Sequence, residues 1–158
     1  MKTLIVYYSF EGNTRCAARL LAEKLGAETL ELEPVRDYPR SSVGKYVFGG
    51  AAASFSAEPE LKPYAFEPDQ YDLIVLGSPV WAGRTAPPMN TFLKRWDLRG
   101  RRVAAFACSS GGRAEKMLSG IAERTGGLAA AVSLIDPASH PAEAEQALAR
   151  FAQELRHE

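Results

Sequence analysis

The sequence is poor in the residues from which disulfide frameworks, metal sites and histidine-dependent catalytic centres are built. Its two cysteines, Cys16 and Cys108, are too few for a disulfide framework. Its two histidines, His140 and His157, both lie near the C-terminus and leave little for a metal site or a histidine-based triad. We therefore expect no metal and no catalytic acid or base of the hydrolase kind.

Several nucleotide-binding and catalytic motifs are also missing. The sequence contains no Gly-x-x-x-x-Gly-Lys-Ser/Thr, no Gly-x-Gly-x-x-Gly and no Gly-x-Ser-x-Gly. A phospho-acceptor receiver domain would need acidic residues after the first strand and an aspartate at the end of the third. This chain has Ser9-Phe10 and Gly77-Ser78 at those places. The sequence therefore argues against these four classes.

The chain carries neither an excess of one charge nor a long apolar run. Its 19 basic and 19 acidic residues balance, so no overall field attracts nucleic acid. No apolar run approaches the length of a membrane span, and the first residues lack the apolar length and cleavage site of a secretory signal. We predict a cytoplasmic protein that binds neither nucleic acid nor membrane.

Length and composition are those of an ordinary globular protein. At 158 residues, with 46% hydrophobic and 24% charged residues, the chain can build a full core. We find no internal repeat and predict one domain over residues 1–158. Whether the protein is a monomer or a homodimer, and what the segment 41–57 does, stay open.

Short apolar runs alternate with segments of helical periodicity. Runs over 4–8, 73–76 and 103–107 are typical of parallel strands covered on both faces, while 29–33 alternates like an edge strand and 128–135 is mostly apolar. Helical stripes cover 17–25, 89–96, 114–122 and 144–155, and a weaker one covers 43–51. This order predicts an α/β fold: a three-layer, doubly wound sheet of five parallel strands.

The segment 9–14 follows the first strand and opens directly into the first helix. The first N–H groups of a helix have no internal partner, and the helix dipole adds partial positive charge there. Gly12 permits a sharp turn, and the hydroxyls of Ser9 and Thr14 can donate hydrogen bonds. The segment is therefore either a phosphate-binding loop or a plain helix cap made by Asn13 or Thr14.

Two further loops follow central strands, at the edge where doubly wound folds bind ligands. The loop 77–88 contains Trp81, whose flat face suits stacking on a planar ligand, a contact worth about 1–3 kcal/mol. The alternative is a tryptophan that covers a helix end. The loop 108–112 contains Gly111-Gly112, which either brings backbone N–H groups close to a ligand or makes a simple turn.

Taken together, these three loops resemble the FMN-binding loops of the flavodoxin family. The sequence Ser-Phe-Glu-Gly-Asn-Thr over 9–14 is similar to the phosphate loop, 77–88 to the second flavin loop, and 108–112 stands where the third belongs. The resemblance covers the whole chain in order. Because the last strand shows no long insertion, the chain looks like the short-chain type. The resemblance implies FMN as cofactor and the strand order 2-1-3-4-5.

The resemblance also implies roles by position. The phosphate would be cradled by Ser9, Glu11, Gly12, Asn13 and Thr14. The ribityl chain and ring would be flanked by Ser78, Pro79, Val80, Trp81, Ala82 and Gly83, and closed on the other side by Ser109, Ser110, Gly111 and Gly112. The Ala82–Gly83 peptide could turn a carbonyl toward the flavin at low cost because of Gly83. We expect the Glu11 carboxylate to point away or to hydrogen-bond the loop backbone.

The expected function is redox chemistry through bound FMN, as an oxidoreductase or in electron transfer. One form is an electron carrier that serves a redox partner protein. The other is an NAD(P)H-dependent flavin or quinone reductase with a small acceptor, favoured slightly by the neutral charge and by a third loop without an aromatic residue. Arg84 either attracts an anionic substrate or is a solvated charge. The alternative is a flavodoxin-like fold without cofactor, serving a structural or interaction role.

Overall fold

Strands and helices alternate along the chain in the computed structural model, which describes residues 1–39, 57–111 and 113–157. The elements are β1 (Thr3–Tyr7), α1 (Asn13–Leu25), β2 (Glu28–Glu31), a 3-10 turn (Pro68–Gln70), β3 (Leu73–Trp81), β4 (Arg84–Thr85), α2 (Pro87–Arg95), β5 (Val103–Ser109), α3 (Glu115–Thr125), β6 (Ala131–Ile135) and α4 (Pro141–Arg156). The helical pattern predicted over 43–51 and the predicted site residue Gly112 lie outside the described residues.

Five of the strands form a parallel sheet in the order β2-β1-β3-β5-β6, which confirms the predicted fold class and, since β4 lies off this path, the predicted order. Tyr7 of β1 lies opposite Gly77 of β3, and Pro79 of β3 lies opposite Cys108 of β5. Because the strands are parallel and in this register, the carboxyl ends of β1, β3 and β5 meet at one edge of the sheet.

Side chains of the sheet alternate between two apolar layers. Leu4 and Val6 of β1 face a layer built with α2 and α3, while Ile5 and Tyr7 face a layer built with α1 and α4. The helices contribute the periodic residues expected of them: Met89, Phe92, Met117 and Ile121 on one side, Ala17, Leu21, Leu148 and Phe151 on the other. Helices on both faces make the predicted three layers.

The strand β3 is longer than its apolar run predicts, continuing through Trp81 instead of ending at Leu76. It continues because residues up to Pro79 pair with β5, and Val80 and Trp81 pair antiparallel with β4. The predicted loop 77–88 is therefore mostly a strand extension and a tight hairpin.

Direct packing of β3 on β5 depends on Gly77. A Cβ added there would lie 2.2 Å from Cζ of Phe106, a fully buried ring on β5. Since ordinary carbon contacts are about 3.5–4.0 Å, the ring occupies the place of a side chain at position 77. This contact fixes the point at which the second loop leaves the sheet.

Candidate functional site

The first loop leaves the N-terminus of α1 without a side-chain cap. Gly12, with φ +105°, directly precedes the helix, no side chain caps it, and its first turn contains no acidic residue. The Cys16 N–H makes the first helical hydrogen bond, to the Gly12 carbonyl at 2.9 Å. The N–H groups of the three residues between them therefore have no partner within the helix. The interpretation of this segment as a side-chain cap by Asn13 or Thr14 is wrong.

Side chains of the first loop tie it to neighbouring segments. The Gly12 N–H donates to Ser9 Oγ at 3.2 Å, and the Ala138 N–H donates to Asn13 Oδ1 at 3.0 Å. Thr14, 1% exposed, lies beside the thiol of Cys108 near the end of β5. Burial raises the pKa of Cys108 to about 12, and the neighbouring Thr14 side chain opposes the shift. Because these side chains contact the protein itself, the hydrogen-bond donors that the loop can offer to a ligand are mainly backbone N–H groups.

The carboxylate of Glu11, the residue whose charge has the wrong sign for a phosphate neighbour, is exposed to solvent. This is the placement expected of a side chain that points away from the loop.

The second loop is a two-residue hairpin. Ala82 and Gly83 have φ values of +50° and +78°, and β4 returns antiparallel to the end of β3. Two central residues with positive φ are the mark of a type I′ turn. Ser78 is fully buried at the base of the hairpin, where its Oγ donates to the Pro79 carbonyl at 2.8 Å and accepts from the Ala86 N–H at 3.0 Å. Its hydroxyl closes the hairpin.

This turn type changes the expectation for the Ala82–Gly83 peptide. Turning that peptide over converts type I′ into type II′, whose first central residue adopts a conformation that only glycine adopts readily. The first central residue here is Ala82, already in the left-handed region. The expected rotation therefore depends on Ala82 as well as on Gly83, and its low cost stays a prediction.

Trp81 is buried in an aromatic cluster, which we define as Tyr8, Phe10, Tyr38 and Trp81. The Trp81 ring centroid lies 5.4 Å from that of Tyr38, 5.8 Å from Phe10 and 6.0 Å from Tyr8, all edge-to-face. With only 3% of Trp81 exposed, the open stacking face expected from the sequence is absent in this conformation. The cluster instead joins the first loop, the hairpin and the segment after β2.

Tyr8 and Tyr38 are the members of this cluster that sequence reasoning missed. Tyr8 was assigned only to the apolar run of the first strand, and no local pattern connects Tyr38 with the loops. Burial first, and then the charge of Asp37, raise the pKa of Tyr8, so its phenol is neutral. Among the described residues its buried hydroxyl has no hydrogen-bond partner.

The third loop lies beside the first, and a fourth segment joins them. Ser109 ends β5, Ser110 and Gly111 are exposed, and Gly111 has φ +115°. The Ser109 carbonyl accepts a hydrogen bond from the Asp136 N–H at 2.9 Å. The segment 136–140 thus contacts the third loop through Asp136 and the first through Ala138. The sequence could have indicated that this segment belongs to the site, because it follows β6 and therefore lies at the same edge of the sheet.

The three predicted loops therefore meet, the first joined to the hairpin by aromatic contacts and to β5 by the Thr14–Cys108 contact. Pro79 and Val80, which are half-buried, lead from the sheet edge into the hairpin. In the part of the chain that the structure describes, no group of three or more His, Cys, Asp or Glu side chains could hold a metal ion. In that same part, no helix is long and apolar enough to cross a membrane.

Comparison with known proteins gives one family match and many similar folds. Residues 2–131 match the family model described as Flavodoxin. A flavoprotein from Lactobacillus acidophilus, solved in complex with FMN, is 28% identical with a TM-score of 0.67, covering 89% of this chain and 97% of that one. Oxidised Flavodoxin 2 from Bacillus cereus is 22% identical with a TM-score of 0.62, covering 98% and 97%. The comparison with curated proteins gives no match.

Proposed function

This chain belongs to the flavodoxin family, and we propose that it is a redox protein which binds FMN and transfers electrons through it. The observation that carries the proposal is the N-terminus of α1, which is uncapped, free of acidic residues in its first turn, and placed among three converging loops. The flavoprotein from Lactobacillus acidophilus, solved with FMN, adds support because it matches over 89% of this chain.

The residues at this edge fit the two ends of such a cofactor. The backbone N–H groups of Asn13 and Thr14, with the partial positive charge of the helix end, suit a phosphate group. A Cβ added to Gly12 would meet nothing within 4 Å, so the outer side of the loop is open. The Ala82–Gly83 turn and the exposed Gly111 would flank the ring.

Bound FMN supplies the chemistry, because flavins carry electrons and hydride equivalents. The residues of this chain would bind the cofactor, orient it and exclude water from it. The aromatic cluster and Val80 give the site an apolar wall, and Ser78 fixes the hairpin that carries the turn. Tyr8 and Cys108 both have raised pKa values, so neither exchanges a proton near neutral pH.

The phosphate end is tested by Asn13→Asp, which places a carboxylate at the first residue of α1. Aspartate keeps the oxygen that accepts the Ala138 N–H, so the local hydrogen bonding is preserved. Repulsion between this charge and the phosphate should weaken FMN binding about tenfold. Riboflavin, which has no phosphate, should bind as before, and the apoprotein should be at least as stable because an acidic residue suits a helix N-terminus.

Glu11→Gln is the matched control, since it removes a charge from the same loop and should leave FMN binding equal or slightly tighter. Equal losses for FMN and riboflavin in Asn13→Asp would place the phosphate elsewhere. Purified protein that stays colourless after incubation with FMN would overturn the assignment and favour the alternative of a fold without cofactor.

Within this function we favour an NAD(P)H-dependent flavin or quinone reductase with a small acceptor over a carrier for a redox partner protein. The supporting observation is the absence of net charge, with 19 basic and 19 acidic residues, since a carrier that docks on basic partners benefits from an acidic surface. Steady oxidation of NADPH by the FMN-loaded protein with a quinone present supports the reductase. No NADPH oxidation, together with reduction in two separate one-electron steps, supports the carrier.

A further inference from the structure

A groove of about 560 Å³ lies between α2, α3 and the hairpin, on one face of the sheet. Its volume falls within the range of about 300–1,000 Å³ that is typical of small-molecule sites. The charged residues that line it are Arg84, Lys94, Arg99, Arg124, Glu58 and Asp97. In a chain without net charge, this groove therefore collects four cationic side chains and two carboxylates.

A neutral partner holds Arg124 at the groove. Asn90 is buried, and its Oδ1 accepts hydrogen bonds from Arg124 Nη1 at 2.8 Å and from Thr85 Oγ1 at 2.9 Å. The amide fixes the guanidinium without neutralising it. Arg84 and Arg124 line the same groove, and desolvation, followed by the positive charge of Arg84, lowers the pKa of Arg124.

Each carboxylate of the groove is held by a closer partner, although the charge of Glu58 also acts on Arg124 and opposes the lowering of its pKa. Glu58 lies 3.2 Å from Lys94 Nζ, and Asp97 Oδ1 accepts the backbone N–H of Arg99 at 3.0 Å. Within residues 1–39, 57–111 and 113–157, neither Arg84 nor Arg124 has a carboxylate within 4.0 Å. Like charges held together at a concave surface, with donors left over, suit a ligand that carries more than one negative charge.

We propose that this groove binds the phosphoryl or pyrophosphoryl group of a small molecule, with Arg84 and Arg124 as the anion-binding residues. A planar guanidinium presents paired donors that match phosphate oxygens. The concave shape favours a small ligand over the flat surface of an acidic protein. The site does not depend on flavin binding, but it shares the hairpin with the cofactor loops, because Arg84 directly follows the Ala82–Gly83 turn.

The test measures binding of inorganic pyrophosphate and of 2′,5′-ADP by calorimetry and by amide chemical shifts, with FMN at saturation and without it. Arg84→Gln and Arg124→Gln should each weaken binding about tenfold, since each removes a charged hydrogen-bond donor. The matched control is Arg150→Gln, an exposed arginine on α4 at the opposite face of the sheet, which should leave binding unchanged. Arg84 is itself exposed, so its variant should fold even where that of Arg124 does not.

Asn13→Asp separates the groove from the cofactor loop. In the groove, pyrophosphate binding should be insensitive to this change, and the amide shifts should map to α2 and α3. Equal affinity for pyrophosphate and 2′,5′-ADP supports a site for the phosphoryl group alone, whereas tighter binding of the nucleotide identifies nucleotide-borne phosphate as the ligand.

Three results would overturn the proposal. The first is pyrophosphate binding that both arginine variants leave unchanged. The second is a set of shifts confined to residues 9–14. The third is binding of poly-glutamate through the same arginines without binding of pyrophosphate, which would indicate an acidic protein as the partner.

Discussion

Gly77→Ala should strongly destabilise the protein, because among the described glycines only Gly77 has a neighbour, Phe106, within 3.0 Å of the added Cβ. The added Cβ would lie 2.2 Å from Phe106 Cζ and 2.6 Å from Cε1 and Cε2. Ordinary contact requires about 3.5–4.0 Å, so the ring or the strand must move by more than about 1 Å. Phe106 has no exposed surface and packs in the layer under α1 and α4, so no free space receives it.

The expected cost follows from this geometry. Overpacking a tight core costs about 1–3 kcal/mol, and a contact this short belongs at the upper end, near 3 kcal/mol. Phe106→Ala alone should cost about 3–5 kcal/mol through the cavity it leaves. In that background the methyl at position 77 enters vacated space, so Gly77→Ala should then cost almost nothing. The coupling energy between the two positions should therefore be about 3 kcal/mol.

The assay is urea unfolding of the apoprotein, followed by far-ultraviolet circular dichroism, on the two single variants and the double variant. Gly120→Ala is the control, because it adds the same methyl inside α3, where nothing lies within 4 Å of the new Cβ. That control should gain about 0.5–1 kcal/mol from helix propensity. If Gly77→Ala alone fails to fold, the comparison of Phe106→Ala with the double variant still measures the effect of the added methyl group on the free energy of unfolding.

The reasoning would be refuted if the loss of stability in the double variant equalled the sum of the two single losses within about 0.5 kcal/mol. That result would mean that the ring does not obstruct position 77. A Gly77→Ala variant as stable as wild type would do the same. Since Ser78 and the hairpin follow directly, weakened FMN binding should accompany the loss of stability in Gly77→Ala.

Three further changes test the loops. Trp81→Ala should cost about 3–5 kcal/mol in urea unfolding, because the ring is buried, and should weaken FMN binding; an unchanged dissociation constant would remove Trp81 from the site. Ala82→Gly should stabilise and Gly83→Ala destabilise the apoprotein, each by about 0.5–1 kcal/mol, because both positions are left-handed; equal signs would argue against the type I′ turn. At pH 8, iodoacetamide should leave Cys108 unmodified in the folded protein by mass spectrometry, since its pKa is about 12, and label it only after unfolding.

The order of elements and the place of the site could be predicted from the sequence because both depend on local patterns. Continuous apolar runs mark buried parallel strands, and a 3.6-residue period marks each helix, so the alternation that defines the sheet is readable residue by residue. The segment 9–14 was recognisable for the same reason: strand, glycine turn and helix are neighbours in the chain. The end of β3 could not be predicted in this way, because its last residues are held by pairing with β4 and β5.

By itself the sequence determined the α/β fold, the order of the elements and the loops that meet at the carboxyl edge, since periodicity and chain order act over short distances. Only the tertiary structure decided what each side chain faces. Trp81 lost its open face to three rings from two other segments, the one after β1 and the one after β2, and Thr14 was buried beside Cys108. Arg84 and Arg124, forty residues apart, became neighbours through packing, which sets distances that no local pattern encodes.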